Sequence, residues 1–382
     1  MSSIRQAHVT HSDAVEAARA FHQQVRQPDM SLVLFFCSSR YDLDALAGEL
    51  NQLFRGVPIV GCTTAGEIGQ AGYHSHSISG ISFPRSHFSA VAGLLGPLQS
   101  CEVGAARDLM QELKRQLAHN SGTAATGSDF AFLMVDGLST REEVLVGALQ
   151  SSLGDIPLVG GSAGDDLRFE QTSVFHEGRF HCDHAVVVLV HSLCPVLPWK
   201  TQHFVATDQR LVITGADPER RRVTEINGLP AAPEYARLTG VDVNDLSPDR
   251  FASSPVVVLV NGREYVRSIQ RAQPDGSLIF FCAIEEGLVM RVARGVDLIE
   301  NLNAELNDIQ QQLGGLQVIL ACDCTLRKLE LVQRGLREQA GALVRRHNIV
   351  GFNSYGEQFE GVHVNQTFTA LAIGYPDGEG AS

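Results

Sequence analysis

The chain has no surplus of positive charge. Its 30 Lys and Arg are outnumbered by 43 Asp and Glu, leaving a formal charge of -13 over 382 residues. A protein that grips nucleic acid needs a basic face to displace counterions from phosphates, so nucleic acid is not expected as a partner. The densest basic run, PERRRVTEI at 218–226, is short and followed by acid, as a solvated turn is. Long apolar runs are missing too. The richest, residues 184–199, is broken by His191 and two prolines and falls short of the roughly 20 residues that span a bilayer. The N-terminal stretch lacks an apolar core before a small-residue cleavage site, so neither export nor membrane insertion is expected, and the expected location is the cytoplasm. Eight cysteines, several inside apolar runs, make no dense disulfide framework, and reduced thiols fit that compartment. Cys322 and Cys324 stand one residue apart with no second pair nearby, which reads as structural thiols rather than a zinc site.

Catalytic and nucleotide motifs are also missing. There is no G-x-x-x-x-G-K-[ST] and no G-x-G-x-x-G opening a helix, so phosphate cradles are excluded. C-x-x-C-H is absent, which excludes covalent haem in its usual form. GGSAG at 160–164 matches the G-x-S-x-G nucleophile elbow, but that motif needs a helix after the turn. Here DDLRFEQTSVFHEGRF follows and reads as a hairpin, so a serine hydrolase fits poorly and no enzyme activity is expected.

What the chain does contain is a repeat. At this length two or three domains are expected, and 44% hydrophobic content is ample for a packed core. Three segments share one order of elements. Helix-like stretches at 12–25, 101–117 and 295–313 carry apolar residues at three- and four-residue spacing. Strand-length apolar runs follow from Ser31, Asp129 and Leu316, then a second helix, clearest at 42–54. A strand containing VG then leads into a glycine loop, and a hairpin returns through HSISGISF, HAVVVLV and TFTALAIGY. Leu158 follows Ile59 by 99 positions and Asp129 follows Ser31 by 98, while Ile349 follows Leu158 by 191, nearly twice as many. A strand-rich block at 199–290 accounts for the excess. The expected fold is α/β, built of duplicated α-β-α-β-β units that form mixed sheets flanked by helices, with that block before the third unit.

The three loops read IVGCTTAGEIG, LVGGSAGDD and IVGFNSYGEQ. Aligned on the second glycine, each has a hydroxyl two residues before it (Thr64, Ser162, Ser354) and an acid directly after (Glu67, Asp165, Glu357). Gly66, Gly164 and Gly356 are suited to positive φ or a close backbone approach. One reading is a recurring connector whose polar atoms satisfy its own backbone. The other is convergence of the loops on a ligand, with Thr63, Thr64, Gly66, Glu67, Ser162, Gly164, Asp165, Asn353, Ser354, Gly356 and Glu357 as binding residues. A small metabolite such as an amino acid would then pair its amine with the acids.

VGCTTAGEI followed by SISGISF, LVGGSAGDD before a hairpin, EINGLPAAPEYARL and the terminal VGFNSYGEQ resemble the FIST-domain proteins. The resemblance covers nearly the whole chain. It implies an N-terminal domain over 1–198 with repeats at 12–98 and 101–195. A C-terminal domain over 199–382 would hold the strand-rich block and a third repeat at 295–375. It also implies a cytoplasmic, non-enzymatic, ligand-binding sensor of bacterial signal transduction. Stand-alone members of this length include haem proteins that sense nitric oxide and regulate a partner histidine kinase. On that basis haem b, nitric oxide and a separate kinase or other signalling protein are expected. The iron would need an axial histidine. In RFHCDHAVVVLVH (179–191) His184 is the first choice and His181 the second, although strand geometry points residues three apart to opposite faces. His74 and His76 share a face, and His363, like His74, lies two residues after a glycine.

Overall fold

Strands that read as unbroken apolar runs must be covered on both faces. The computed structural model, which describes residues 3–121, 126–260 and 263–376, supplies both covers. The first unit runs β1 (Arg5–Val9), α1 (Ala14–Val25), β2 (Met30–Ser38), α2 (Leu43–Leu53) and β3 (Ile59–Thr64). A short hairpin, β4 (Glu67–Gly69) and β5 (Gly72–His74), precedes β6 (Ile78–Pro84). The second unit repeats the order with β7 (Phe88–Leu95), α3 (Val103–Ser121), β8 (Ser128–Val135), α4 (Glu142–Leu153) and β9 (Leu158–Ser162). Its hairpin is β10 (Val174–His176) and β11 (Arg179–His181), followed by β12 (Ala185–Ser192).

The third unit opens with β13 (Val196–Thr201) and is then interrupted. The insertion comprises β14 (Phe204–Asp217), β15 (Arg222–Ile226), β16 (Leu229–Pro230), α5 (Ala231–Thr239) and α6 (Pro248–Ser253). It continues through β17 (Val256–Val260), β18 (Arg263–Arg267), β19 (Ile269–Ala272), β20 (Leu278–Phe280) and β21 (Val289–Gly295). The unit resumes with α7 (Leu298–Leu313), β22 (Val318–Cys324), α8 (Thr325–Gln333), α9 (Arg337–Arg346) and β23 (Ile349–Ser354). The hairpin β24 (Glu357–Phe359) and β25 (Val362–Val364) and the strand β26 (Phe368–Ile373) complete it. The mixed α/β architecture is as expected. Each unit is longer than α-β-α-β-β by an edge strand at its start, and the small hairpin follows the glycine loop directly in the first and third units but only from Val174 in the second. The insertion stands inside the third unit, after its edge strand.

The hairpins are exchanged. The first sheet has the order β1-β6-β2-β3-β10-β11, the second β7-β12-β8-β9-β24-β25, and the third β13-β26-β22-β23-β4-β5. Each unit therefore lends its hairpin to a neighbour's sheet: the first to the third, the second to the first, the third to the second. The cycle closes. Within each sheet one central pair is parallel (β2 with β3, β8 with β9, β22 with β23).

Successive strand residues point to opposite faces, and here both faces are buried. Leu34 and Phe36, Phe132 and Met134, and Leu320 and Cys322 point into a core shared by all three sheets, where Phe36 stacks on Phe352 at 4.6 Å. The intervening residues pack under helices: Phe35 against Phe21 and Leu50, Leu133 against Met110 and Leu149, Ile319 against Leu306 and Val344. Three of the helices start where an aspartate accepts from a first-turn N–H, at Asp13, Asp42 and Asp297. The repeated VG has a packing cause. Gly61, Gly160 and Gly351 press on the parallel neighbour's backbone at Phe35, Leu133 and Ala321, where a Cβ would collide with the carbonyl oxygen.

Candidate functional site

The three glycine loops end β3, β9 and β23, and the cyclic exchange brings them together. Ala65 N–H donates to Asn353 O at 2.9 Å and Asn353 N–H to Gly66 O at 2.7 Å. Ser162 N–H donates to Gly356 O at 2.8 Å, Tyr355 N–H to Ser162 O at 3.1 Å, and Gly164 N–H to Thr63 O at 3.0 Å. Gly66 has a φ of +144°, which a side chain would strain. Gly164 is instead a close approach: a Cβ there would lie 2.6 Å from Ala65 N.

The loops spend their polar atoms on themselves. Thr64 Oγ1 donates to Glu67 Oε1 at 2.5 Å, while Glu67 Oε2 accepts from Ser77 N at 3.0 Å and Ser77 Oγ at 2.6 Å. The third loop copies this. Ser354 Oγ donates to Glu357 Oε1 at 2.6 Å, and Glu357 Oε2 accepts from Thr367 N at 3.2 Å and Thr367 Oγ1 at 2.8 Å. Each carboxyl thus ties the end of a parallel strand to the start of the returning one. Burial pushes Glu67 up to about 7 and Glu357 up to about 8, against the pull of those donors.

The second loop differs. Burial would raise Asp165, but the Tyr355 hydroxyl and the N–H groups of Gln171, Glu170 and Phe169 outweigh it and hold the carboxyl low. Ser162 Oγ accepts from Gln358 Nε2 at 3.0 Å, and Thr63 Oγ1 accepts from Ser173 N at 3.0 Å. Asn353 Nδ2 donates to Asp323 O at 3.3 Å, leaving its Oδ1 buried without a partner. All the candidate hydroxyls and acids are fully buried. They close the corners, and no helix follows the G-x-S-x-G segment.

Open valence is concentrated beside the third corner. His363 Nε2, Asn365 Nδ2 and Oδ1, Gln358 Oε1, and Arg267 Nε and Nη1 are buried polar atoms without a partner. They share one place. A Cβ on Gly356 would fall 2.8 Å from His363 Nε2 and 3.0 Å from Asn365 Nδ2. Gln358 Nε2 lies 3.3 Å from His363 Nδ1. Arg267, on the insertion, is close enough to His363 to depress its protonation. Each buried polar group left unpaired costs about 1–3 kcal/mol, so such groups take ordered water or a ligand as partners.

Glu143, at the start of α4, also faces His363. Burial is the main force that keeps His363 neutral, against the acids Glu143 and Glu142. For Glu143 burial works upward, but His363, Arg221 and the Ala283 N–H outweigh it. With His363 neutral, Arg221 is the cation that holds Glu143 ionised. Arg221 Nη2 reaches Glu142 Oε2 and Glu143 Oε2 at 2.6 Å each, and Ala283 N donates to Glu143 Oε1 at 2.5 Å. Phe169, Phe281 and Tyr355 form an aromatic wall with ring centroids 5.0–6.2 Å apart.

Sequence reasoning did not select Arg267, Gln358, Asn365 or Glu143. The available signal was GVHVNQTF, polar residues breaking a hairpin whose neighbours are apolar. Register also corrects the placing of His363: it pairs with Gln358 as Tyr73 pairs with Ile68, so it stands level with Tyr73 and not with His74.

His181 and His184 do not point apart. β11 ends at His181 and Asp183 takes a φ of +56°, which turns the two rings together at 5.2 Å between centroids. His184 Nδ1 donates to Cys182 O at 2.6 Å, a tie that often orients a metal-binding imidazole. Haem also needs an apolar slot. His184 is half-buried, against Gly96, and neither histidine lines the 870 Å³ cleft beside α3 and His191 or the 540 Å³ groove beside α2 and His176. Among the described residues no three His, Cys, Asp or Glu gather as metal ligands. Cys322 and Cys324 are buried structural thiols. No helix among the described residues is long and apolar enough to cross a membrane.

Comparison with curated proteins yields no match. Comparison with protein families matches residues 31–229 to the FIST N domain and residues 231–360 to the FIST C domain. The first match covers the first two units from β2 onward and the start of the insertion, and the second covers the rest of the insertion and the third unit through β24, ending before His363 and Asn365. The chain therefore belongs to the FIST family.

Proposed function

We propose that this chain is a receptor for a small polar metabolite, of the amino-acid class, bound at the third corner between the three-sheet body and the insertion. FIST domains are sensory ligand-binding domains of signal transduction, and both halves are present here. The observation that carries the reading is the set of unpartnered buried atoms on His363, Asn365, Gln358 and Arg267. Their chemistry is amphoteric. Arg267 and Asn365 Nδ2 offer N–H groups to a carboxylate, while Gln358 Oε1 and Asn365 Oδ1 accept from an amine.

Binding is favoured over catalysis. Ser162 is fully buried and its hydroxyl meets an amide, where a nucleophile needs an oriented base. Haem-borne nitric-oxide sensing ranks lower, because neither His181 nor His184 lines the two large clefts. The output of a cytoplasmic receptor of this kind is read by a separate signalling protein, and the family resemblance makes a sensor histidine kinase the first candidate. A thermal-shift screen of the twenty amino acids, followed by calorimetric titration of any hit, tests the reading. Stabilisation by at least one amino acid, lost on Arg267→Ala, is expected. No stabilisation by any of them overturns it.

A further inference from the structure

We infer that the insertion is a hinged arm latched to the three-sheet body by Arg221, and that a ligand at the third corner controls the latch through Glu143. The trigger rests on the proposed reading of the third corner; the latch does not.

The arm's covalent ties lie side by side. It leaves the body after β13 and returns into α7, and its first and last strands pair from Phe204↔Gly295 onward. Both chain connections therefore sit at one end, as in a hinge. The β14–β21 register shifts between Ala206 and Arg210, close to that end. That core, with Ile213, Val223, Tyr235, Phe251 and Met290, is distinct from the three cores of the body sheets.

Away from the hinge, Ala252 and Phe281 pack on Cys324 and Leu326, Gln366 bonds Ser268 and Ala252 O, and Arg221 adds the charged tie. Arg221 stands in a left-handed turn (φ +48°) and is 6% exposed. Its Nη1 donates to Phe281 O within the arm, and its Nη2 spans the seam to both Glu142 and Glu143. Those acids open α4, where the helix dipole already favours negative charge. Glu143 also accepts from Ala283 N, so one carboxylate holds the arm at two points.

The same carboxylate faces His363, and Arg267 enters the corner from the arm while Gln358 and Asn365 enter from the body. A ligand there touches both sides of the seam. A cationic group drawn to Glu143 competes with Arg221, and an anionic group on Arg267 pulls the arm inward. Either way the arm's position depends on occupancy, which is what a receptor must transmit.

Hydrogen exchange read by mass spectrometry on the full chain tests this, comparing wild type with Arg221→Ala and Arg221→Lys. Without ligand, Arg221→Ala is expected to speed exchange of the peptide holding the Ala283 amide, which donates across the seam to Glu143, on the order of a hundredfold, with β8 and β22 of the body unchanged and Arg221→Lys intermediate. Unchanged exchange in the arm, or equal acceleration in arm and body, overturns the latch. Adding an equimolar mixture of the twenty amino acids is expected to alter arm exchange in wild type and not in Arg221→Ala. If the mixture stabilises the protein yet leaves arm exchange unaltered, control of the latch by the ligand is overturned. If it neither stabilises nor alters exchange, the ligand reading and the trigger fall together, and the Arg221→Ala result still decides the latch.

Discussion

Replacing Glu357 with glutamine should make the protein more stable above neutral pH. The carboxyl is fully buried, and burial pushes it from the ordinary 4.5 up to about 8. Between those values the folded chain holds a proton that the unfolded chain has released, so stability falls as pH rises. Below about 4.5 the contribution of this group is complete, and by pH 8 it is gone. At about 1.36 kcal/mol per unit, that interval is worth roughly 5 kcal/mol. Glutamine reproduces the protonated acid: its oxygen accepts from Thr367 N and Oγ1, and its amide donates to Ser354 Oγ. Urea unfolding at half-unit steps from pH 5 to 8, followed by the single tryptophan, gives the comparison. Trp199 reports from β13, where its ring lies 5.4 Å from that of Phe368. Contributions from other groups cancel in the difference between variant and wild type. That difference should grow steadily in favour of Glu357→Gln as pH rises. A difference that is flat with pH would refute the argument that burial without a cationic partner governs this carboxyl.

Glu67→Gln should show the same trend over a narrower interval that closes near pH 7, since burial lifts Glu67 only to about 7 with Lys328 nearby, and a wild-type slope in that variant would count against it. Gly351→Ala drives a Cβ into the Ala321 backbone and should cost about 3 kcal/mol or more, read from the urea midpoint; a loss within about 0.5 kcal/mol would show that β22 and β23 can separate freely. Arg267→Ala removes a side chain whose Nε and Nη1 have no partner, so the melting temperature without ligand should hold while any amino-acid-induced shift disappears. Persistence of that shift would remove Arg267 from the site.

The repeat was legible because a strand buried on both faces has to be apolar throughout, and the units retain the same element order. The VG pairs were legible as a signature, although their cause, a glycine pressed on the next strand's carbonyl, needs the parallel register. The exchange of hairpins was not legible. Glu67–Gly69 has the same composition whether it pairs at home or in the third sheet, so nothing local distinguishes the two. The connector and ligand readings of the loops could not be told apart for a related reason. A hydroxyl and an acid three residues apart can meet a ligand or meet each other, and Thr64 with Glu67 and Ser354 with Glu357 do the latter. Arg267 and His363 are 96 positions apart in the chain, and only the packing of the insertion against β25 brings them together.

The cyclic loan of β4–β5, β10–β11 and β24–β25 means that no unit can be excised whole. A fragment holding one unit would carry a homeless ribbon at one end and a bare sheet margin at the other. Those two defects are complementary, so three such fragments could cure one another by closing into a ring. This chain is that ring with its joints made covalent.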